Sequence, residues 1–448
     1  MSEPATARPL EGDAALIRAV GTFALTAAVI NVIIGGGIFR MPSALADKMG
    51  SAAPLALLAG ALAIVPVALC FAAIGSRTQA TGGPYTYLTA VFGPFAGFLA
   101  GALMWISNIA SSAGVAAAFT VQVGTLAPMF SDPENPWPRA ALLTGLYALL
   151  FALNAFGVKL GARAIAVLAT LKLAPLFVLA GVGLFFVDWS LVSFSFGDVP
   201  SVSALGASMV LVMFAYSGME TALVPSGELR DPARNVPRAT IAAILLVVLL
   251  YVGLQIVGQG LLGPKLAESG VPIADTAAVL WAPGRTLLLI TACISMAGFL
   301  LGNLLGTSRL VFALGRDGYL PRAFGRVTTT HRVPLLALIA HAGLAWVLAL
   351  GGSFDALVLI SGGAICLMYG LVSLAAWRAQ RINLRENPES HGEPFMLPGG
   401  PVIPLIAFVA MLAIVTTLTS KEWIAIGIAL AALMLVYAGL RLRATPAT

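Results

Sequence analysis

The chain has 448 residues, of which 59% are hydrophobic and only 10% charged, with a formal net charge of +6. A soluble domain carries about 25% charged residues, so the composition excludes an ordinary soluble protein. Apolar runs of roughly 20 residues recur from end to end and make this a polytopic helical membrane protein, and the distribution of the charge along the chain, below, speaks against nucleic-acid binding.

The N-terminal stretch Met1 to Asp13 is polar and lacks a signal-peptide pattern, so the first span is expected to stay in the mature protein. Twelve spans are predicted, at residues 17–46, 53–75, 95–127, 139–157, 163–187, 203–228, 238–262, 286–314, 333–351, 354–377, 401–419 and 422–441. An even number puts both tails, 1–16 and 442–448, on one side of the membrane. With that side cytoplasmic, eighteen Lys and Arg residues fall inside, among them Arg77, Arg163, Arg234, Arg316 and Arg381. Only Lys48, Arg139, Lys265, Arg285 and Lys421 fall outside. The positive-inside rule therefore places both termini in the cytoplasm. This asymmetry accounts for the high pI without a basic binding surface.

Span 1 carries Asn31-Val-Ile-Ile-Gly-Gly-Gly-Ile-Phe-Arg40. Three consecutive glycines invite the helix to unwind. Unwound backbone in a bilayer is tolerated where it lines a protein cavity. The break would leave carbonyls at the end of Phe23 to Ile34 and amides at the start of Ile38 to Ala46, a pairing suited to a zwitterion such as an amino acid. Close helix packing on glycine is the alternative reading.

The loop after span 2 holds a Gly-Gly-Pro turn at 82–84 leading into a short amphipathic piece. Asp132-Pro-Glu-Asn-Pro-Trp-Pro138 is a stiff outer connection, and Pro272 to Trp281 reads as a short re-entrant helix. Span 6 is interrupted at Ser217-Gly218, with Glu220 just beyond. Breaks five spans apart lie in oppositely directed spans. That predicts an inverted repeat, 17–187 against 203–377, and favours the binding-site reading of the glycines. Cys70, Cys293 and Cys366 sit in apolar segments without paired spacing and read as core thiols.

Several stretches resemble one family, the amino acid–polyamine–organocation transporters. They are Ile34-Gly-Gly-Gly-Ile-Phe39 with Pro42, Gly82-Gly-Pro-Tyr-Thr-Tyr87 with Phe92-Gly93, and Phe214-Ala-Tyr-Ser-Gly-Met-Glu220. Two more are Glu228-Leu-Arg-Asp-Pro-Ala-Arg-Asn-Val-Pro-Arg238 and Ser308-Arg-Leu-Val-Phe-Ala-Leu-Gly-Arg-Asp-Gly-Tyr-Leu-Pro321. They occur in the family's order over residues 20–335. Gln79 departs from the pattern, where many members carry proline. The resemblance implies an all-α LeuT-type fold of ten core spans, with 401–441 forming two peripheral ones.

It also implies a site. The substrate carboxylate would meet the amides of Gly35, Gly36 and Gly37, and the ammonium the carbonyls of Ile33, Phe214, Ala215 and Ser217. Phe214 would be an aromatic gate, the alternative being an ordinary core phenylalanine. Asn108 matches a position lining the side-chain pocket in some relatives, the alternative being an interhelical hydrogen bond. Met104, Ser111 and Ser112 share its face of span 3, and Asn303 in span 8 is expected to face the same cavity.

Lys172 lies nine residues into span 5 from Arg163, about 13 Å deep. An intramembrane lysine is a functional hypothesis by default. In many sodium-independent members of the family a lysine here stands where sodium-coupled relatives bind sodium. Lys172 resembles it and would bridge carbonyls near Ile33 to Thr307 or Ser308. It is either a proton switch or a charged strut. Glu220 either senses protons or, as favoured here, bonds amides at the start of its half-helix.

No nucleophile–base pair, metal-ligand cluster or phosphate loop is visible, so no enzyme activity, metal or cofactor is expected. The function implied is secondary transport of amino acids, neutral in side chain, by alternating access, sodium-independent, and proton-coupled or exchanging. The partners are the small-molecule substrate, protons and the lipid bilayer, in a plasma (inner) membrane. The competing reading is a polyamine or cationic amino acid transporter of the same fold, which would make little use of the glycine amides if its substrate lacked a carboxylate.

Overall fold

The computed structural model describes residues 21–78, 80–132, 134–156, 158–224, 226, 229, 231–328, 331, 333–386 and 393–444, with the backbone path alone at 158–170 and 441–444. Gln79, Glu228, Arg230, the whole N-terminal tail and the last four residues lie outside this set.

The described residues are all-helical, without a strand. Span 1 is two helices, α1 (Thr22–Ile33) and α2 (Gly37–Met49). Then come α3 (Ala53–Gly75), the short α4 (Pro84–Phe92), α5 (Pro94–Leu126), α6 (Trp137–Ala155) and α7 (Val158–Gly183). Span 6 is α8 (Val202–Tyr216) followed by α9 (Met219–Ala222). There follow α10 (Pro232–Leu262), α11 (Lys265–Glu268), α12 (Pro272–Leu280), α13 (Gly284–Arg316), α14 (Leu335–Gly351), α15 (Phe354–Arg381), α16 (Val402–Val415) and α17 (Ser420–Ala444). Among the described residues, eight helical stretches are long and apolar enough to cross a membrane, and four shorter apolar helices accompany them.

The helix breaks follow from the backbone. After α1, the Gly35 amide turns back onto Ile33 O at 2.8 Å, an i to i+2 closure that ends the helical ladder. Pro42 inside α2 supplies no amide, and Gln255 Nε2 donates to its carbonyl at 3.3 Å. After α8, Ser217 is extended and Gly218 takes φ +131°, a conformation only glycine holds comfortably. A Cβ on Gly218 would lie 2.9 Å from the Ile33 backbone nitrogen, so the two breaks cross in main-chain contact. The second half of span 6 is shorter than expected. Its regular helix is the single turn 219–222 rather than a run to 228.

Around this crossing the long helices pack in recurring pairs. α3 lies against α10, α5 against α13, and α6 against α14. α5 also packs on α15, as α13 does on α7. α3 meets α15, as α10 meets α7, and α1 meets α10, as α8 meets α3. α16 joins α3 and α15, whereas α17 stands largely exposed beside α15 and α5.

Candidate substrate site at the crossed helix breaks

A small cavity of about 10 Å³, room for about one water molecule, lies at the crossing. Its walls are Val32, Ile33, Gly35, Gly36, Gly37, Ser111, Val115, Phe214, Ala215, Ser217 and Phe299. No wall residue carries an ionisable side chain. Seven of the nine residues expected at the substrate are therefore brought together, and Asn108 and Asn303 are not.

The main-chain groups available differ from the expected set. The Gly35 amide is engaged by Ile33 O, which leaves the amides of Gly36 and Gly37 without an acceptor among the described residues. Gly37 opens α2, where helix geometry provides no intrahelical partner. Ile33 O already accepts from Tyr251 Oη at 3.0 Å as well as from Gly35. Phe214 O accepts both the amide and the hydroxyl of Ser217, at 3.2 and 2.7 Å. The carbonyls of Ala215 and Ser217 have no donor among the described residues. The chain bends so tightly at each break that it satisfies its own nearest groups and leaves those one residue further on.

Asn108 and Asn303 belong to a buried polar cluster deeper between helices. Asn108 Nδ2 donates to Thr307 Oγ1 at 2.8 Å and to Thr221 Oγ1 at 3.3 Å. Asn303 Oδ1 accepts from Ser112 Oγ at 2.8 Å and pairs with His341 Nε2 at 2.9 Å. The interhelical reading of Asn108 is thus the one its contacts match. Met104 packs in an apolar cluster with Trp105 and Leu310.

Lys172 is fully buried, and its Nζ donates to Asn31 O at 2.7 Å and Ile34 O at 2.5 Å. The expected bridge to Thr307 or Ser308 does not form. Thr307 sits in the asparagine cluster and Ser308 Oγ turns back to Leu305 O. The α13 residue at the right level is Ser295, whose hydroxyl is 3.0 Å from both Ile34 O and Gly35 O. Twelve residues of helix separate Ser295 from Thr307, about 18 Å of rise. Glu220 is buried, and its Oε2 accepts from the Gly218 amide at 2.9 Å and from Tyr369 Oη at 2.6 Å. Its contacts are those of the structural reading.

Beside the central cavity opens a larger vestibule of about 490 Å³, walled by Arg40, Arg139, Phe354 and Asp355 among others. Arg40 donates to Ser269 O at 3.1 Å, and Arg139 to Ala349 O at 3.3 Å. At the opposite end of the bundle, side-chain hydrogen bonds join separate elements. Tyr85 Oη donates to Asp317 Oδ2 at 2.5 Å, joining α4 to the end of α13. Burial, with the Asp317 carboxylate beside it, pushes the Tyr85 phenol above its ordinary range and keeps it a donor. Thr22 Oγ1 donates to Asn235 Oδ1 at 2.5 Å at the same end.

The sequence reading missed Val115, Phe299 and Ser295. The first two are apolar residues in apolar helices and carry no local signal. Ser295 was one of several span-8 hydroxyls, and only the register of α13 against the break selects it.

A family description for amino acid permeases matches residues 20–440. The serine/threonine exchanger SteT of Bacillus subtilis is 29% identical over 399 residues, covering 86% of this chain and 87% of that protein. The branched-chain amino acid permease BcaP of the same organism is 26% identical over 449 residues, 93% of each chain. The mouse b(0,+)-type amino acid transporter 1 is 28% identical over 374 residues, 80% of this chain and 75% of that one. With its apolar helical bundle and a match running nearly its whole length, the chain belongs to the amino acid permeases of the amino acid–polyamine–organocation superfamily.

Proposed function

We propose that the protein is a sodium-independent secondary transporter of neutral amino acids, working by alternating access in a LeuT-type five-plus-five inverted repeat. The observation that carries the reading is the pairing of unengaged groups across the cavity. The amides of Gly36 and Gly37 lie on one break and the carbonyls of Ala215 and Ser217 on the other, in a space without ionisable side chains. Amides suit a carboxylate and carbonyls an ammonium, and a neutral wall suits a neutral substrate side chain. The relatives named for serine, threonine and branched-chain amino acids agree with such a cargo.

The repeat is supported by helix packing. Shifting each contact by five spans turns α5 on α15 into α13 on α7, and α3 on α15 into α10 on α7. With both termini cytoplasmic by the positive-inside rule, the vestibule faces outward and the Tyr85–Asp317 end faces the cytoplasm. Lys172 holds the carbonyls at the end of α1 with its own ammonium, which is the basis for sodium independence. Coupling is then to protons or to a counter-substrate.

The test is uptake of labelled amino acids into proteoliposomes in sodium-free medium, with and without an inward proton gradient and with and without internal amino acid. Saturable uptake of neutral amino acids supports the reading. A strict sodium requirement removes the role given to Lys172. Uptake of polyamines but of no amino acid removes the substrate assignment.

A further inference from the structure

We infer that the vestibule is a charge filter, in which Arg40 and Arg139 are specificity-determining residues that admit neutral amino acids and turn away cationic ones. The inference rests on the reading of the protein as an amino acid transporter entered from the vestibule, and it names what excludes one class of cargo.

Space decides where selection begins. The cavity at the crossing, about 10 Å³, holds one water and no amino acid. The vestibule, about 490 Å³, lies within the range of about 300–1,000 Å³ of ordinary small-molecule pockets. An arriving amino acid is therefore held in the vestibule before the crossing opens to it.

The two arginines on the vestibule wall are anchored without being neutralised. Arg40, on α2 beyond the first break, donates to Ser269 O at 3.1 Å. Arg139, near the start of α6, donates to Ala349 O at 3.3 Å and to Thr120 Oγ1 at 3.4 Å. All three acceptors are uncharged, and neither guanidinium forms an ion pair among the described residues. Asp275, which accepts from Ser269 Oγ at 2.6 Å, is itself paired with Arg285 at 2.9 Å. Asp355 is the carboxylate on the vestibule wall, and it too is without an ion pair among the described residues.

The wall charges thus stand at two positive against one negative. The head of an amino acid takes one guanidinium for its carboxylate and Asp355 for its ammonium. One guanidinium is left to face the side chain. A neutral side chain loses nothing there. A cationic one meets a like charge in a recess walled by protein, where fields are focused. An anionic one is drawn in, but goes on to a crossing without an ionisable partner, where an unpaired charge is costly.

The experiment has two arms. The first places a cysteine at Val121, on the vestibule wall and 45% exposed, in detergent-purified protein without Cys70, Cys293 and Cys366. Its modification rates by the anionic sulfonatoethyl and the cationic trimethylammonium-ethyl methanethiosulfonates are compared with those of free 2-mercaptoethanol. The anion-to-cation ratio is expected to exceed that of the free thiol by about fivefold, what one unit charge about 4 Å away contributes even at the dielectric of water. Arg139→Gln or Arg40→Gln is expected to lower the ratio and Arg139→Lys to keep it. The second arm adds L-homoserine or L-2,4-diaminobutyrate, which differ in a hydroxyl against an ammonium, outside proteoliposomes taking up labelled L-serine or L-leucine. Homoserine is expected to compete better by about fivefold, a margin that Arg139→Gln narrows and Arg139→Lys retains. A reagent ratio equal to that of the free thiol, or equal competition by the two analogues in the wild type, overturns the filter while leaving amino acid transport standing. A biased reagent ratio in protein that takes up no amino acid overturns the transport reading, and the selective role with it.

Discussion

The Phe214 ring on the wall of the central cavity meets the Phe354 ring on the wall of the vestibule edge to face, with centroids 6.1 Å apart and planes at 82°. The pair thus joins a wall residue of one space to a wall residue of the other. Phe354→Ala is expected to speed modification of a cysteine placed at Val115, in a background without native cysteines, by about tenfold with a membrane-impermeant reagent added from the vestibule side. Such a gain is what losing one well-packed aromatic contact, worth about 0.5–1.5 kcal/mol, permits. An unchanged rate would show that some other group seals the cavity.

Lys172 and Ser295 share Ile34 O as acceptor. Lys172→Ala leaves Asn31 O unpaired and Ile34 O with a single donor. Each buried polar group left unsatisfied costs about 1–3 kcal/mol. The variant is expected to lose transport and to melt at a lower temperature in detergent. Ser295→Ala, which keeps the ammonium in place, is expected to fall between it and the wild type. Equal melting temperatures for Lys172→Ala and the wild type would remove the bracing role.

Gly36 and Gly218 differ in what blocks a side chain. At Gly36 the obstacle is Val115, a side chain that can be shortened. Gly36→Ala is expected to abolish uptake, and adding Val115→Ala to restore part of it. At Gly218 the obstacle is the Ile33 backbone, combined with φ +131°. No side-chain substitution should rescue Gly218→Ala. A rescue at Gly218, or none at Gly36, measured as initial uptake rate, would contradict the geometry.

Glu220 accepts hydrogen bonds from Gly218 and Tyr369. Tyr369→Phe removes one donor from a buried carboxylate and is expected to destabilise the protein by about 1–3 kcal/mol. Glu220→Gln keeps an acceptor for the Gly218 amide and should be the milder change. The reverse order of melting temperatures would show that the carboxylate charge matters more than its hydrogen bonds.

Much of this arrangement was legible in the chain because it is written in glycine and in misplaced charge. Gly35 to Gly37 and Gly218 mark the breaks, and Lys172 is conspicuous in an apolar helix. The partners of these residues were less legible. Whether Ser295 or Thr307 shares an acceptor with Lys172 depends on the axial offset of α13 against α1, which no local pattern records. Asn108 and Asn303 looked like pocket residues because their polarity was visible and their partners were not, Thr307 for both, Thr221 for Asn108 and Ser112 for Asn303. Val115 and Phe299 have the opposite problem, since an apolar residue facing a cavity reads like one facing lipid. The short α9 was missed because hydropathy continues past the point where the helix ends.

The ammonium that braces the first break is covalently attached. A dissolved ion must be captured anew in each cycle, at an entropic cost and in proportion to its concentration. The Lys172 amine stays at the break at every salt composition and cannot leave to either side of the membrane. On the transport reading proposed above, the break would keep its geometry in fresh water as in brine, and a sodium gradient would have no handle at this position by which to drive uphill accumulation.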